Sequence, residues 1–148
     1  MRVVVIGTGS AGTRHLRVLR MVEGVEPIAV PKRKERMEAL KEAGGCAVST
    51  LQEAKELGVS SCIIATDTSC HVKDSLAALE LEMDLLIEKP IATDAISAQP
   101  LLQLAQKKNR KIFVGCVLRF SDALQKFREW LPQIGRVHAV DIECRSYL

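Results

Sequence analysis

The run Val3-Val4-Val5-Ile6-Gly7-Thr8-Gly9-Ser10-Ala11-Gly12 decides how this chain folds. A short apolar stretch leads into three glycines spaced G-x-G-x-x-G, after which Leu16, Leu19 and Val22 recur at helical spacing. Such a loop between a strand and a helix has a mechanism. Gly7 permits a tight turn, Gly9 lets backbone approach a pyrophosphate, and Gly12 lets the helix close on the strand. Thr8, Ser10 and Ala11 complete the loop, and the helix start offers unpaired N–H groups and positive dipole to phosphates. The plainer alternative is a glycine-rich turn that holds no ligand.

Working outward, apolar runs of strand length alternate with helix-period stretches, the signature of βαβ units and a parallel sheet. Strands are predicted at residues 3–6, 27–30, 46–48, 61–65, 85–88 and 112–117. Between them, Met37 and Leu40, Leu76 and Leu79, and Leu101, Leu104 and Ala105 give each helix an apolar face. Gly44 and Gly45 are expected to close the second helix, and Gly58 the short third one that begins near Leu51. With 47% hydrophobic residues and only 3% aromatic, the core must be aliphatic, as in strands covered on both faces by helices. The predicted class is α/β, a doubly wound parallel sheet over residues 1–120.

The pattern changes near Phe120. An amphipathic stretch at 123–131, ended by Pro132 and Gly135, precedes an alternating segment at 136–147 that reads as an antiparallel strand. Residues 121–148 are therefore expected to begin a second α+β domain, and a lone strand needs a sheet to join. The chain is expected to be a piece of a longer protein.

The net charge of +3 over 148 residues is too small to imply nucleic acid. The five cysteines show neither CxxC pairs nor regular spacing, which argues against a zinc site or a disulfide framework and for reduced thiols in the cytoplasm. No segment has the length of a signal peptide core or a membrane span.

Three further sites carry chemistry. After the second strand comes Val30-Pro31-Lys32-Arg33-Lys34, with no carboxylate until Glu35. An acidic residue there would meet ribose hydroxyls; cations favour a 2′-phosphate, hence NADP over NAD, the alternative being a solvated basic helix start. After the fourth strand, Ala65-Thr66-Asp67-Thr68 can line the crevice of an open α/β sheet, while Asp67, Thr68 or Ser69 can equally cap the next helix. His71 reads first as a packing or capping residue and second as a cofactor contact. After the fifth strand stands Glu88-Lys89-Pro90, where a lysine following Leu85, Leu86 and Ile87 is expected to be partly buried and aimed into the crevice. Its amine suits proton transfer to or from an oxygen on a carbon undergoing hydride transfer; the plain reading is an exposed turn lysine.

Together, the glycine loop with Arg14-His15, Ala65-Thr66 with His71, Glu88-Lys89-Pro90, Val114-Gly115 and Leu118-Arg119-Phe120 resemble the Gfo/Idh/MocA oxidoreductase family. The resemblance implies a Rossmann domain binding NAD or NADP. It also implies a second domain carrying a catalytic Asp and His, a homo-oligomer, and a sugar, inositol or related polyol as substrate. It places Lys89 as the catalytic residue near the nicotinamide, Glu88 as its support, and Arg119 at the passage to the second domain. Two positions depart from the family pattern: Lys32 replaces a frequent Asp, and Asp67 stands where Pro or Asn is common.

The leading expectation is a nicotinamide-dependent oxidoreductase, of which this chain holds the cofactor-binding half and is inactive alone. A non-catalytic nucleotide-binding sensor on the same fold is the alternative. Pairing of two copies through the orphan strand is expected of the isolated chain.

Overall fold

The computed structural model describes residues 1–143. The chain divides into two compact units, Met1–Gly115 and Cys116 onward. The first is a parallel sheet of strands β1 (Arg2–Ile6), β2 (Glu26–Val30), β3 (Cys46–Ala47), β4 (Ser61–Ile64), β5 (Asp84–Ile87) and β6 (Ile112–Val114), with helices α1 (Ser10–Leu19), α2 (Lys34–Glu42), α3 (Leu51–Glu56), α4 (Thr68–Glu80) and α5 (Ala95–Lys108) between them. The spatial order is β3-β2-β1-β4-β5-β6, so the winding reverses beside β1, which pairs with β2 on one edge and β4 on the other. Ligands of open α/β sheets bind outside the strand ends at such a reversal.

Alternation along β1 builds two cores. Val3 and Val5 face one side with Ala29, Ile63 and Leu16 of α1, joined by Leu19 and by Leu40 of α2. Val4 and Ile6 face the other with Ile28, Ile64, Leu85 and Ile87, covered by Ala54 of α3, Ala78 and Leu79 of α4, and Leu101 and Ala105 of α5. The doubly wound α/β class expected from the sequence is the observed one. Val22 lies beyond the end of α1 and is exposed, so it takes no part in the predicted apolar face. Local signals place helix starts: the Thr50 hydroxyl accepts from the Glu53 N–H while the Glu53 carboxylate accepts from the Ser49 N–H. Asp94 likewise caps α5 by accepting from the Ser97 N–H at 2.8 Å.

In the second unit, a 3-10 turn (Val117–Phe120) precedes α6 (Asp122–Trp130) and another 3-10 turn (Leu131–Ile134). Residues expected to extend β6 to 117 leave the sheet after Val114, because the ladder with β5 ends at the pair Ile87–Val114. Residues 136–143 form no strand, and Cys144 to Tyr147 of the expected strand lie outside the described residues. Alternation alone cannot make a strand, since the backbone groups need a ladder partner. Among the described residues, no helix is long and apolar enough to cross a membrane.

The tightest backbone contact sits where α1 meets β1. A Cβ on Gly12 would lie 1.8 Å from the Gly7 carbonyl oxygen. Gly12→Ala is therefore expected to destabilise the protein by roughly 3 kcal/mol, near the upper end for overpacking, read as a lower urea midpoint. An unchanged midpoint would contradict this packing.

Candidate cofactor site

The loop from β1 to α1 is shaped by what cannot be added to it. Gly7 has φ of +84°, and a Cβ there would stand 2.6 Å from the Ala65 carbonyl oxygen. Its N–H donates to the Val30 carbonyl at 3.1 Å, tying the loop to the end of β2. At Gly9, by contrast, a Cβ would meet no protein atom within 4 Å. That open space, beside an α1 start whose N-cap residue Gly9 gives no side-chain hydrogen bond, leaves helix N–H groups available to an incoming phosphate. Ser10 and Ala11 occupy the first turn, and the Thr13 hydroxyl donates to the Thr8 carbonyl at 3.2 Å.

A cleft of about 380 Å³ opens at the carboxyl ends of β1, β2 and β4. Gly7, Thr8, Gly9, Lys32, Arg33, Arg36, Ala65, Thr66, Asp67 and Cys70 line it. A neighbouring hollow is lined by Gly9, Ser10, Thr13, Arg14, Arg17 and Arg36. The donor set is that of a polyanion site: free helix N–H groups together with several cations, of which Arg36 borders both hollows. A nicotinamide dinucleotide fits these residues.

Residues 1–116 match the Gfo/Idh/MocA oxidoreductase family, NAD-binding Rossmann fold. The chain belongs to this family. It is 36% identical over 126 residues to an inositol 2-dehydrogenase of Arthrobacter sp. (strain FB24), covering 81% of this chain and 37% of that protein. It is 25% identical over 153 residues to a myo-inositol 2-dehydrogenase of Thermotoga maritima, covering 99% of this chain and 46% of the relative. Among solved structures, UDP-N-acetylglucosamine 3-dehydrogenase from Acidithiobacillus ferrooxidans superposes with a TM-score of 0.75 at 27% identity, covering 87% of this chain and 42% of the other. The chain thus spans less than half the length of these relatives.

The remaining family motif residues do not line the cleft. Lys89 is exposed and makes no ion pair or side-chain hydrogen bond with the described residues, contrary to the partly buried lysine expected. β5 ends at Ile87, so Lys89 stands beyond the last ladder pair and loses the cover of the neighbouring strands. The Lys89–Pro90 peptide is cis. Glu88 is well covered, and its Oε1 lies 2.7 Å from His15 Nε2 and 3.6 Å from Arg14 Nη2, both on α1. Gly115 packs against it: a Cβ there would come within 3.3 Å of Glu88 Oε2.

His71 is buried, with Nδ1 2.8 Å from the Pro90 carbonyl oxygen and Nε2 3.0 Å from the Thr66 carbonyl oxygen. Its ring ties together the loops that follow β4 and β5, so any service to a cofactor is indirect. Thr68 opens α4, whose N-cap residue Asp67 provides no side-chain hydrogen bond and instead lines the cleft. Arg119 belongs to the second unit, where its carbonyl oxygen accepts from Gln125 Nε2 at 3.1 Å.

Lys32 lines the cleft, but its Nζ donates to Asp74 Oδ1 of α4 at 2.8 Å. Lys32 is therefore not the free cation expected, and nothing in the local pattern marks Asp74 as its partner. Arg36 is a further lining residue, carried by helical spacing from the N-cap residue Arg33 into the first turn of α2.

Burial alone would push the Glu88 carboxyl up, yet the hydrogen bond and charge of His15, the Lys89 N–H and Arg14 together hold it below the ordinary range. A depressed native value means that the stabilisation from Glu88 is complete above the unfolded value, about 4.3, and is lost as pH falls through the native one. His15→Ala leaves burial as the dominant influence, so the Glu88 carboxyl carbon is expected to titrate at higher pH by NMR. Titration unmoved by the substitution would refute the pairing.

Proposed function

We propose that this chain binds NAD(P) in the cleft at the ends of β1, β2 and β4. On this reading it is the cofactor-binding part of an enzyme that moves hydride between the nicotinamide and a hydroxyl-bearing carbon of a sugar, inositol or related polyol. The observation that carries the reading is the open space at Gly9 beside the uncapped start of α1, in a chain of this oxidoreductase family. The inositol dehydrogenases among its relatives support the substrate class. When bound, the dinucleotide supplies the hydride acceptor or donor.

Lys89 is the proposed catalytic residue. Its unpaired amine is available to hydrogen-bond the oxygen of the reacting carbon, to take up the hydroxyl proton as the carbonyl forms, and to return it in the reverse direction. Glu88, fixed by His15, holds the chain segment from which Lys89 projects. Arg119 and Thr68 are proposed as additional cofactor contacts. A homo-oligomer is proposed by analogy with the family. The unpaired thiols of Cys46, Cys62, Cys70 and Cys116 support a reducing compartment, the cytoplasm.

NADP is the proposed cofactor. Lys32, Arg33 and Arg36 line the cleft against a single lining carboxylate, Asp67. With Lys32 engaged by Asp74, Arg33 and Arg36 carry most of the attraction for a 2′-phosphate. Fluorescence titration of this chain is expected to give NADPH about tenfold tighter binding than NADH, the worth of one charge-assisted contact. Tighter NADH would overturn the cofactor assignment, and binding of neither would overturn the site.

In the whole enzyme, Lys89→Ala is expected to lower kcat by about 10²- to 10⁴-fold while leaving the Kd for NADPH nearly unchanged. Unchanged turnover would remove Lys89 from the chemistry. A protein that binds the dinucleotide without ever turning over a polyol would be a sensor instead.

A further inference from the structure

The pairing of Lys32 with Asp74 joins a cleft-lining cation to a carboxylate that does not itself line the cleft. Asp74 is 7% exposed, on the second turn of α4, and its Oδ2 has no hydrogen-bond partner among the described residues. Lys32 keeps half of its side chain exposed. A buried carboxylate that satisfies only one oxygen is a poor structural device, because the unsatisfied oxygen bears a desolvation penalty without return. Its evident effect is electrostatic. It cancels one of the three cations lining the cleft, at the end of β2 where the two cofactors differ by a single phosphate.

We propose that Asp74 is a positioning residue that sets cofactor selectivity: by holding the Lys32 ammonium, it withdraws one positive charge from the ribose end of the cleft and moderates the preference for a 2′-phosphorylated dinucleotide. The inference rests on the cleft being a nicotinamide dinucleotide site. It does not depend on which of the two cofactors the unsubstituted chain prefers, because it concerns the change in their ratio. Asp74→Asn is close to isosteric and keeps an acceptor for Lys32 Nζ while removing the negative charge.

The test is fluorescence titration of the full chain with NADPH and NADH in five forms: unsubstituted, Asp74→Asn, Asp74→Glu, Lys32→Met, and Asp74→Asn combined with Lys32→Met. In Asp74→Asn the ratio of the NADH Kd to the NADPH Kd is expected to rise about tenfold, with NADH affinity little changed. The double substitution is expected to abolish that gain, since the effect runs through Lys32. Asp74→Glu is expected to restore the original ratio by re-forming the ion pair. A merely structural role would weaken both dinucleotides together and leave the ratio unmoved, and that result would overturn the proposal. So would a rise in the ratio that persists after Lys32 is replaced. If the unsubstituted chain binds neither dinucleotide, the site reading itself fails and takes the inference with it, a result distinct from binding with a constant ratio.

Discussion

The carbonyl oxygen of Gly7 occupies the place where a side chain of residue 12 would begin, and most of the first unit follows from that contact. It brings the start of α1 against the end of β1. The helix N–H groups then emerge at the reversal of strand order, beside the ends of β2 and β4. A side chain at residue 12 would push the helix away, and one at residue 7 would strike the Ala65 and Thr66 backbone after β4, by more than a core can absorb, since protein interiors are packed too densely to yield an ångström. Gly9 obeys the opposite constraint. Nothing in the protein fills its side-chain space, and a ligand phosphate can approach the backbone there.

The charges around the cleft divide by burial rather than by sequence position. Half-exposed ion pairs of the Lys32–Asp74 kind ordinarily contribute only about 0–1 kcal/mol. Stripping the partner from a buried charge costs about 3–5 kcal/mol. Asp74 therefore depends on Lys32 far more than Lys32 depends on Asp74. Glu88 follows the same logic on the other side of the sheet reversal, where the His15 ring, the Lys89 N–H and Arg14 together outweigh its burial. Arg33 and Arg36 have no such partner among the described residues and remain the cations most available to an anion.

What the sequence disclosed was whatever depended on near neighbours. The glycine loop and the alternation of Val3, Val4, Val5 and Ile6 are local requirements of backbone and pleat, and they place β1, α1 and the cleft without further information. Strand ends were less legible because they depend on the partner strand, as at β6, which stops where β5 stops. The exposure of Lys89 was hidden for the same reason. The apolar run before it predicts burial only while the ladder continues, and the ladder ends at Ile87. Lys32 was misjudged through a contact spanning from β2 to α4, which no spacing rule within one element reveals. The expected strand at 136–147 shows how far alternation goes without a partner, because residues 136–143 have the pattern and form no ladder.

Three of these observations converge on α4. His71 and Asp74 lie one turn apart, at a spacing that puts them on the same face, and both are buried. Through them the helix reaches three crevice loops: Lys32 after β2 by an ion pair, Thr66 after β4 and Pro90 after β5 by the two nitrogens of one ring. A neutral imidazole has one N–H and can donate to only one of two carbonyl oxygens, whereas the imidazolium donates to both. Either form leaves the ring wedged between the segments that bear Thr66 and Lys89. The loops of the cleft are thus fixed less by their own sequences than by a common attachment to α4. Substitutions on the buried face of α4 should consequently be felt at both ends of the cleft, although neither His71 nor Asp74 lines it.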